Sequence, residues 1–266
     1  MDLQLNGKRA LITGGSRGIG KAIAAALARE GVDLVIAART QGPLETTAAE
    51  LSLGSSRKVI PIAVDTGDDG SVKALIASTV QALGGLDILV NCAARPAGQS
   101  APPRLADITN DVFYDDVNIK VMGYLRTARE AAPVMIAQGW GRIINVSGLG
   151  ARQTGSIVGS MRNVAVAALT KNLADELGPK GINVTVVHPG LTRTEATAGV
   201  TQRLAQSSGG SPADIEARWG SNVSIGRIID AEEVADVVAF LASPRSVAIN
   251  GDGIACGGGA RGSIHY

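Results

Sequence analysis

Between Arg9 and Cys256, short runs of β-branched and aliphatic residues alternate with longer alanine-rich segments whose apolar residues recur at helical spacing. No other feature constrains the fold as strongly. Strands are expected at Arg9–Thr13, Asp33–Ala37, Lys58–Val64, Leu86–Asn91, Gly141–Ser147 and Ile182–Val187, with a last one near Gly253–Cys256. Helices are expected at Gly18–Glu30, Pro43–Leu53, Asp68–Leu83, Asp111–Gln138, Ser156–Leu177 and Ala231–Leu241. A strand, a helix and a further strand in this order cross over right-handedly, which lays the strands parallel and covers both sheet faces with helices.

The expected fold class is therefore α/β, a Rossmann-type doubly wound parallel sheet. Ligands of such sheets bind beyond the carboxyl ends of the strands, where the strand order reverses. A length of 266 residues suits one domain over 1–266, and no repeat, low-complexity tract or compositional break marks a linker. The segment Leu191–Ile228, rich in Thr, Ser, Gly and Ala, shows no firm element beyond a helix expected near Pro212–Trp219. Loops of that length are usually functional or disordered, and 191–228 is expected to be a substrate loop or lid.

Composition removes several classes of function. Lys plus Arg number 25 against 24 Asp plus Glu, a net charge of +1 that lacks the basic footprint of a nucleic-acid or anionic-membrane binder. Cys92 and Cys256 lie far apart with no CxxC pair, and only two histidines are present, so neither a disulfide framework nor a metal site is expected. The N-terminus carries no apolar signal region and no apolar run approaches eighteen residues. A soluble, cytoplasmic protein is the expectation.

After the first strand comes Thr13-Gly14-Gly15-Ser16-Arg17-Gly18-Ile19-Gly20, and a helix then begins. Glycines let the backbone approach a pyrophosphate closely, and the helix N-terminus offers free N–H groups and the positive end of its dipole. In that strand-turn-helix context a purely structural turn is the weaker alternative. The second strand ends Ile36-Ala37-Ala38-Arg39, without the carboxylate that would accept both ribose hydroxyls and repel a 2′-phosphate. Arg39, helped by Arg17, offers paired N–H donors to such a phosphate. NADP(H) is accordingly expected ahead of NAD(H); the competing reading leaves Arg39 stacked on adenine or in solvent.

This TGxxxGxG segment, with Asp65 after the third strand, Asn91-Cys92-Ala93-Ala94 after the fourth, Asn118 in the next helix and Pro189-Gly190 after the sixth, resembles the short-chain dehydrogenase/reductase family. The likeness runs from Leu5 to Gly259. It implies cofactor contacts from Gly14, Ser16, Arg17, Gly18, Ile19 and Gly20, and from Asp65 and Thr66 at the adenine. Asn91 and Ala93 fall on the adenine-ribose side, and Pro189, Gly190, Thr192 and Thr194 at the nicotinamide. It also implies a homodimer or homotetramer joined through the Asp111–Gln138 and Ser156–Leu177 helices.

The family's chemistry uses a Ser to orient the carbonyl, a Tyr to move the proton, and a Lys four residues later that lowers the Tyr pKa and holds the ribose. An Asn in the preceding helix supports a relay water, and Asn118 fits it. Ser147 is the serine candidate in Asn145-Val146-Ser147-Gly148, with Gly148 in the catalytic register if a residue is deleted later. Anchoring on Leu169-Thr170-Lys171 puts Gly159 at the tyrosine place and Asn163 at the lysine place. Spacing of four keeps both on one helical face, but glycine moves no proton and an asparagine amide, though able to bond a ribose, carries no charge.

General acid-base assistance is worth about 10²–10⁴-fold. Its loss leaves an NADP(H)-dependent alcohol or carbonyl oxidoreductase with a reorganised site as the first expectation, a catalytically silent dinucleotide-binding protein acting through interactions as the second, and non-oxidative chemistry in the same cleft as a third. For the first, replacement groups are sought among Ser160, Arg162, His188, Tyr114 and Tyr124.

Overall fold

The computed structural model describes residues 1–94 and 102–261. Seven strands form one parallel sheet: β1 (Arg9–Thr13), β2 (Asp33–Ala38), β3 (Val59–Ala63), β4 (Ile88–Asn91), β5 (Gly141–Val146), β6 (Ile182–Pro189) and, at the edge, Gly253–Cys256. Two further strands, β7 (Thr192–Arg193) and β8 (Ile229–Asp230), pair with each other in a separate two-stranded sheet, so the edge strand is β9. The sheet order is β3-β2-β1-β4-β5-β6-β9. The order reverses between β1 and β4, whose register runs from Ala10 opposite Ile88 to Thr13 opposite Asn91, and the crevice expected of such sheets opens beyond Thr13 and Asn91.

Both faces are covered, which is why the strands read as unbroken aliphatic runs. On β1, Ala10 and Ile12 face one helical layer and Leu11 the other, as the two-residue repeat of a strand demands. One layer is α1 (Gly18–Arg29), α2 (Gln41–Ser55) and α9 (Ala231–Ala242), which contribute Ile23, Leu27, Leu44, Val234 and Val238. The other contains α3 (Asp69–Leu83), α5 (Gly123–Gln138) and α6 (Ile157–Leu177), through Leu75, Ile76, Ala132, Met135 and Leu177.

Two expectations change. The helix expected over Asp111–Gln138 is α4 (Asn110–Val117) and α5 joined by a π turn at Asn118–Met122. And 191–228 is not a bare loop: besides β7 it holds α7 (Thr197–Ser208) and α8 (Pro212–Ser221). The expected Pro212–Trp219 helix is α8, started by Pro212 and a Ser211/Asp214 capping box. Helix α7 escapes apolar periodicity because its buried face is Thr197, Thr201 and Ala205, spaced by four but polar in two of three places.

Candidate active site

The turn after β1 is shaped by what glycine alone permits. Gly14 has φ +72°, and a Cβ there would lie 2.9 Å from the backbone carbonyl of Cys92; Gly18 has φ +54°. A Cβ at Gly20 would collide with the carbonyl oxygen of Gly14, so α1 can approach β1 this closely only without a side chain there. Gly14 N and Gly15 N both donate to Ala37 O, and Thr47 donates to Ser16 O at 2.9 Å, which ties the turn to β2 and α2. Ile19, half-buried, follows on the first turn of α1. At the N-terminus of α1 the Glu195 carboxylate already sits on the free backbone: Gly18 N donates to its two oxygens at 2.9 and 3.2 Å. A carboxylate there occupies the kind of place an anionic phosphate oxygen takes at a helix start.

The other cofactor candidates lie around that turn at the same ends of the strands. Arg17 and Arg39 are exposed after the neighbouring strands β1 and β2, and among the described residues neither guanidinium is paired. Asp65 is exposed after β3, where its Oδ1 accepts from Gly67 N at 2.8 Å. Thr66 is buried and donates to Ile119 O. Ala93 N and Cys92 N both face the Thr13 hydroxyl. Asn91 is wholly buried, its amide donating to Asn145 Oδ1 at 3.0 Å and accepting from Thr127 at 2.7 Å, so its side chain braces the sheet and is not offered to a ribose. Beyond Pro189 at the end of β6, Gly190 N donates to Cys256 O, Thr192 donates back to Gly190 O, and the Thr194 methyl lies 3.5 Å from where a Gly18 Cβ would be. The loop after β6 therefore closes against the glycine turn.

The catalytic candidates divide into two groups that share no partner among the described residues. Asn118 Nδ2 donates to Gly67 O, and its Oδ1 accepts from Arg126 at 2.8 Å. Arg126 also donates to Asn118 O, and Ile119 O is taken by Thr66; side chains thus hold carbonyls of the π turn, which stabilises the irregularity. The Ser147 hydroxyl donates to Asn163 O at 3.1 Å, and it is Gly148 whose missing Cβ would point at Asn163 Nδ2, 3.2 Å away. Asn163 is buried on α6. Gly159 sits in the first turn of that helix, where its N–H receives the Ser156 cap.

Between these groups stands a residue that the sequence reading passed over. The side chain of Lys120, 4% exposed, enters from the π turn and its Nζ donates to Ser147 O at 2.9 Å and to Asn163 Oδ1 at 3.3 Å. Burial, then the positive charge of Arg162, pulls its pKa down to about 7; Cys92 and Asp116 act in the opposite sense. Burial likewise pushes the Cys92 thiol up to about 11. Lys120 stands four and seven residues before the buried Tyr124 and Thr127, so its place on an inward stripe was the available signal.

Four of the five replacement candidates are engaged elsewhere. Tyr124 is buried with its hydroxyl on Val146 O, and Tyr114 is 64% exposed on α4. Arg162 is paired through both oxygens of Asp116 at 2.8 Å, Ser160 donates to Gln153 O, and buried His188 has Nδ1 against Gly148 O.

A seven-stranded parallel sheet with a glycine turn at its order reversal, an anion on the following helix start and polar side chains at the ends of β4, β5 and β6 defines a dinucleotide-binding α/β protein. A family model described as Enoyl-(Acyl carrier protein) reductase matches residues 14–261, and the chain belongs to the short-chain dehydrogenase/reductase family. It is 32% identical to the short-chain reductase protein NovJ of Streptomyces niveus, over 94% of this chain and 92% of that one. It is 32% identical to the 3-oxoacyl-[acyl-carrier-protein] reductase FabG of Vibrio harveyi, over 97% and 98%. L-Sorbose reductase from Gluconobacter frateurii, solved with NADPH and L-sorbose, superposes with a TM-score of 0.92 at 30% identity, over 99% of this chain and 100% of that one.

Proposed function

We propose that this protein is an NADP(H)-dependent oxidoreductase acting on an alcohol/carbonyl pair through a non-standard active site. The observation that carries the reading is the anion-ready glycine turn at the order reversal of the sheet, where the Glu195 carboxylate stands in for a phosphate; the buried amine of Lys120, bonded to Ser147 O and Asn163 Oδ1, supports it. Gly14, Ser16, Gly18, Ile19 and Gly20 hold the pyrophosphate by backbone; Arg17 and Arg39 hold the 2′-phosphate; Asp65 and Thr66 border the adenine; and Thr192 and Thr194 flank the nicotinamide. Asn163 Nδ2, without a partner among the described residues, donates to a ribose hydroxyl. Bound NADPH supplies a hydride. Relatives solved with NADPH, the sorbose reductase and the actinorhodin polyketide ketoreductase, support this choice of cofactor.

Segment 191–228, now two short helices, frames the substrate side as a lid. Exposed Ile157, Met161 and Val164 on α6 offer an apolar stripe to a second copy of the chain, in a homodimer or homotetramer. Free Cys92 and Cys256 suit the reducing cytoplasm. Among the described residues no three His, Cys, Asp or Glu side chains gather as metal ligands, and no helix is long and apolar enough to cross a membrane.

The reading is tested by calorimetric titration with NADPH, NADP and their non-phosphorylated counterparts, followed by turnover of L-sorbose and an acetoacetyl thioester in both directions. Selective binding of the phosphorylated pair with turnover is expected. Gly159 and the empty side-chain position at Gly148 favour the second reading, a silent dinucleotide-binding protein; selective binding without turnover decides for it.

A further inference from the structure

Removal of the usual tyrosine leaves open which group moves the proton, and the buried amine between β5 and α6 answers it. We propose that Lys120 is the catalytic proton donor of carbonyl reduction and the acceptor of alcohol oxidation, delivered to the cleft by the π turn in place of a tyrosine from α6. This rests on the oxidoreductase reading above.

Three observations converge. First, Lys120 Nζ lies among the atoms that border the empty catalytic places: 3.3 Å from Asn163 Oδ1, and 2.9 Å from the carbonyl of Ser147, next to Gly148. Second, an ammonium has three hydrogens to donate, and among the described residues it finds two acceptors, Ser147 O and Asn163 Oδ1. A substrate oxygen entering over Gly148 meets the third. Third, the surroundings favour release of that proton. The charged group beside the amine from α6 is Arg162, held by Asp116 of α4, and the thiol of Cys92 faces it from the end of β4. Burial and Arg162 together bring the ammonium to about 7, the range in which a general acid works best at neutral pH. The step balances: as the carbonyl carbon receives the hydride, one proton passes from Lys120 Nζ to the carbonyl oxygen, giving the alcohol and a neutral amine that regains its proton from water.

Two variants and two readouts test it. With L-sorbose and the acetoacetyl thioester as probes, Lys120→Met and Lys120→Arg are each expected to lower kcat by about 10²–10⁴-fold, while NADPH binds within threefold of wild type. An amine that served only by its charge would be replaced by arginine, so near-normal turnover of Lys120→Arg overturns the proposal, as does turnover surviving in Lys120→Met.

The second readout needs no turnover. Between pH 7 and 9 the unfolded chain holds a proton on Lys120 that the folded chain has released. The unfolding equilibrium of the wild type therefore shifts toward the folded state by up to tenfold per pH unit relative to Lys120→Met. Parallel urea-unfolding profiles of the two proteins across that window overturn the proposal. NADPH binding without wild-type turnover of either probe sinks the oxidoreductase reading itself, and the assignment with it; turnover by wild type and Lys120→Met alike sinks only the assignment.

Discussion

Glu195 and a dinucleotide phosphate compete for one place, and the competition has a measurable size. Both oxygens of the Glu195 side chain sit on Gly18 N at the start of α1, and the side chain is exposed. An anion at an exposed helix N-terminus is worth about 0.3–1 kcal/mol at low ionic strength. That stabilisation is present in the free protein and is surrendered when a phosphate takes the N–H. Replacing Glu195 with Gln keeps the shape and removes the charge, so NADPH should bind roughly two- to fivefold more tightly. The same variant without cofactor should lose about 0.3–1 kcal/mol of unfolding free energy. Isothermal calorimetry and urea unfolding measure the two independently. Raising the salt from 20 to 300 mM, chosen conditions that span the Debye length of an exposed pair, should shrink both effects together. Weaker NADPH binding by Glu195→Gln, or tighter binding with unchanged stability of the free protein, refutes the competition.

Other expectations follow from the same geometry. Arg39→Glu puts a carboxylate where a 2′-phosphate is expected and should reduce the preference for NADPH over NADH by about tenfold or more, read by titration with both. Asn145 bridges Asn91 and Thr170 at 3.0 and 2.9 Å inside the sheet; Asn145→Ala strands the Asn91 amide and should cost about 1–3 kcal/mol of stability, read by denaturant unfolding. Met161→Glu with Val164→Glu charges the α6 stripe, whose residues are 53% and 50% exposed. Sedimentation velocity should show that double variant as monomer while the wild type is dimer or tetramer.

The parallel sheet was legible because its strands are buried on both faces, which writes an aliphatic run into the sequence without regard to distant partners. The glycine turn was legible for a related reason: the clash awaiting a Cβ at Gly20 is with Gly14, six residues away. Helix α7 was not legible, since its buried face is polar: Thr201 bonds back to Thr197 O of its own helix, and the Thr197 hydroxyl accepts from Thr194 N just before it. Glu195 was missed because its partner lies 177 residues earlier. Asn118 takes its expected place from the family resemblance; in the structure the π turn, held by Arg126 and Thr66, sends its amide to Gly67 and brings Lys120 to Ser147 O. Apolar spacing does not announce that turn, because it is held by polar groups: Arg126 eight residues on and Thr66 from the loop after β3.

The missing lysine at Asn163 and the buried Lys120 are therefore two sides of one arrangement. Asn163 Oδ1 accepts from Lys120 Nζ at 3.3 Å, so an amide is what the amine requires at that position. Restoring the usual lysine by Asn163→Lys would bring two ammonium groups together in a space where burial, with the charge of Arg162 beside it, already brings one amine down to about 7. Like charges in such a place cannot both ionise, and one must give up its proton or the helices must part. Repair by Gly159→Tyr with Asn163→Lys should thus fail in the wild-type background, with lost stability and no gain in turnover. Adding Lys120→Met, which removes the competing amine, should recover the stability. The triple variant then carries a tyrosine and a lysine four residues apart on α6, and carbonyl reduction above that of Lys120→Met alone is the expected result. A double variant that folds normally and outperforms the wild type would show that the two amines do not share one space.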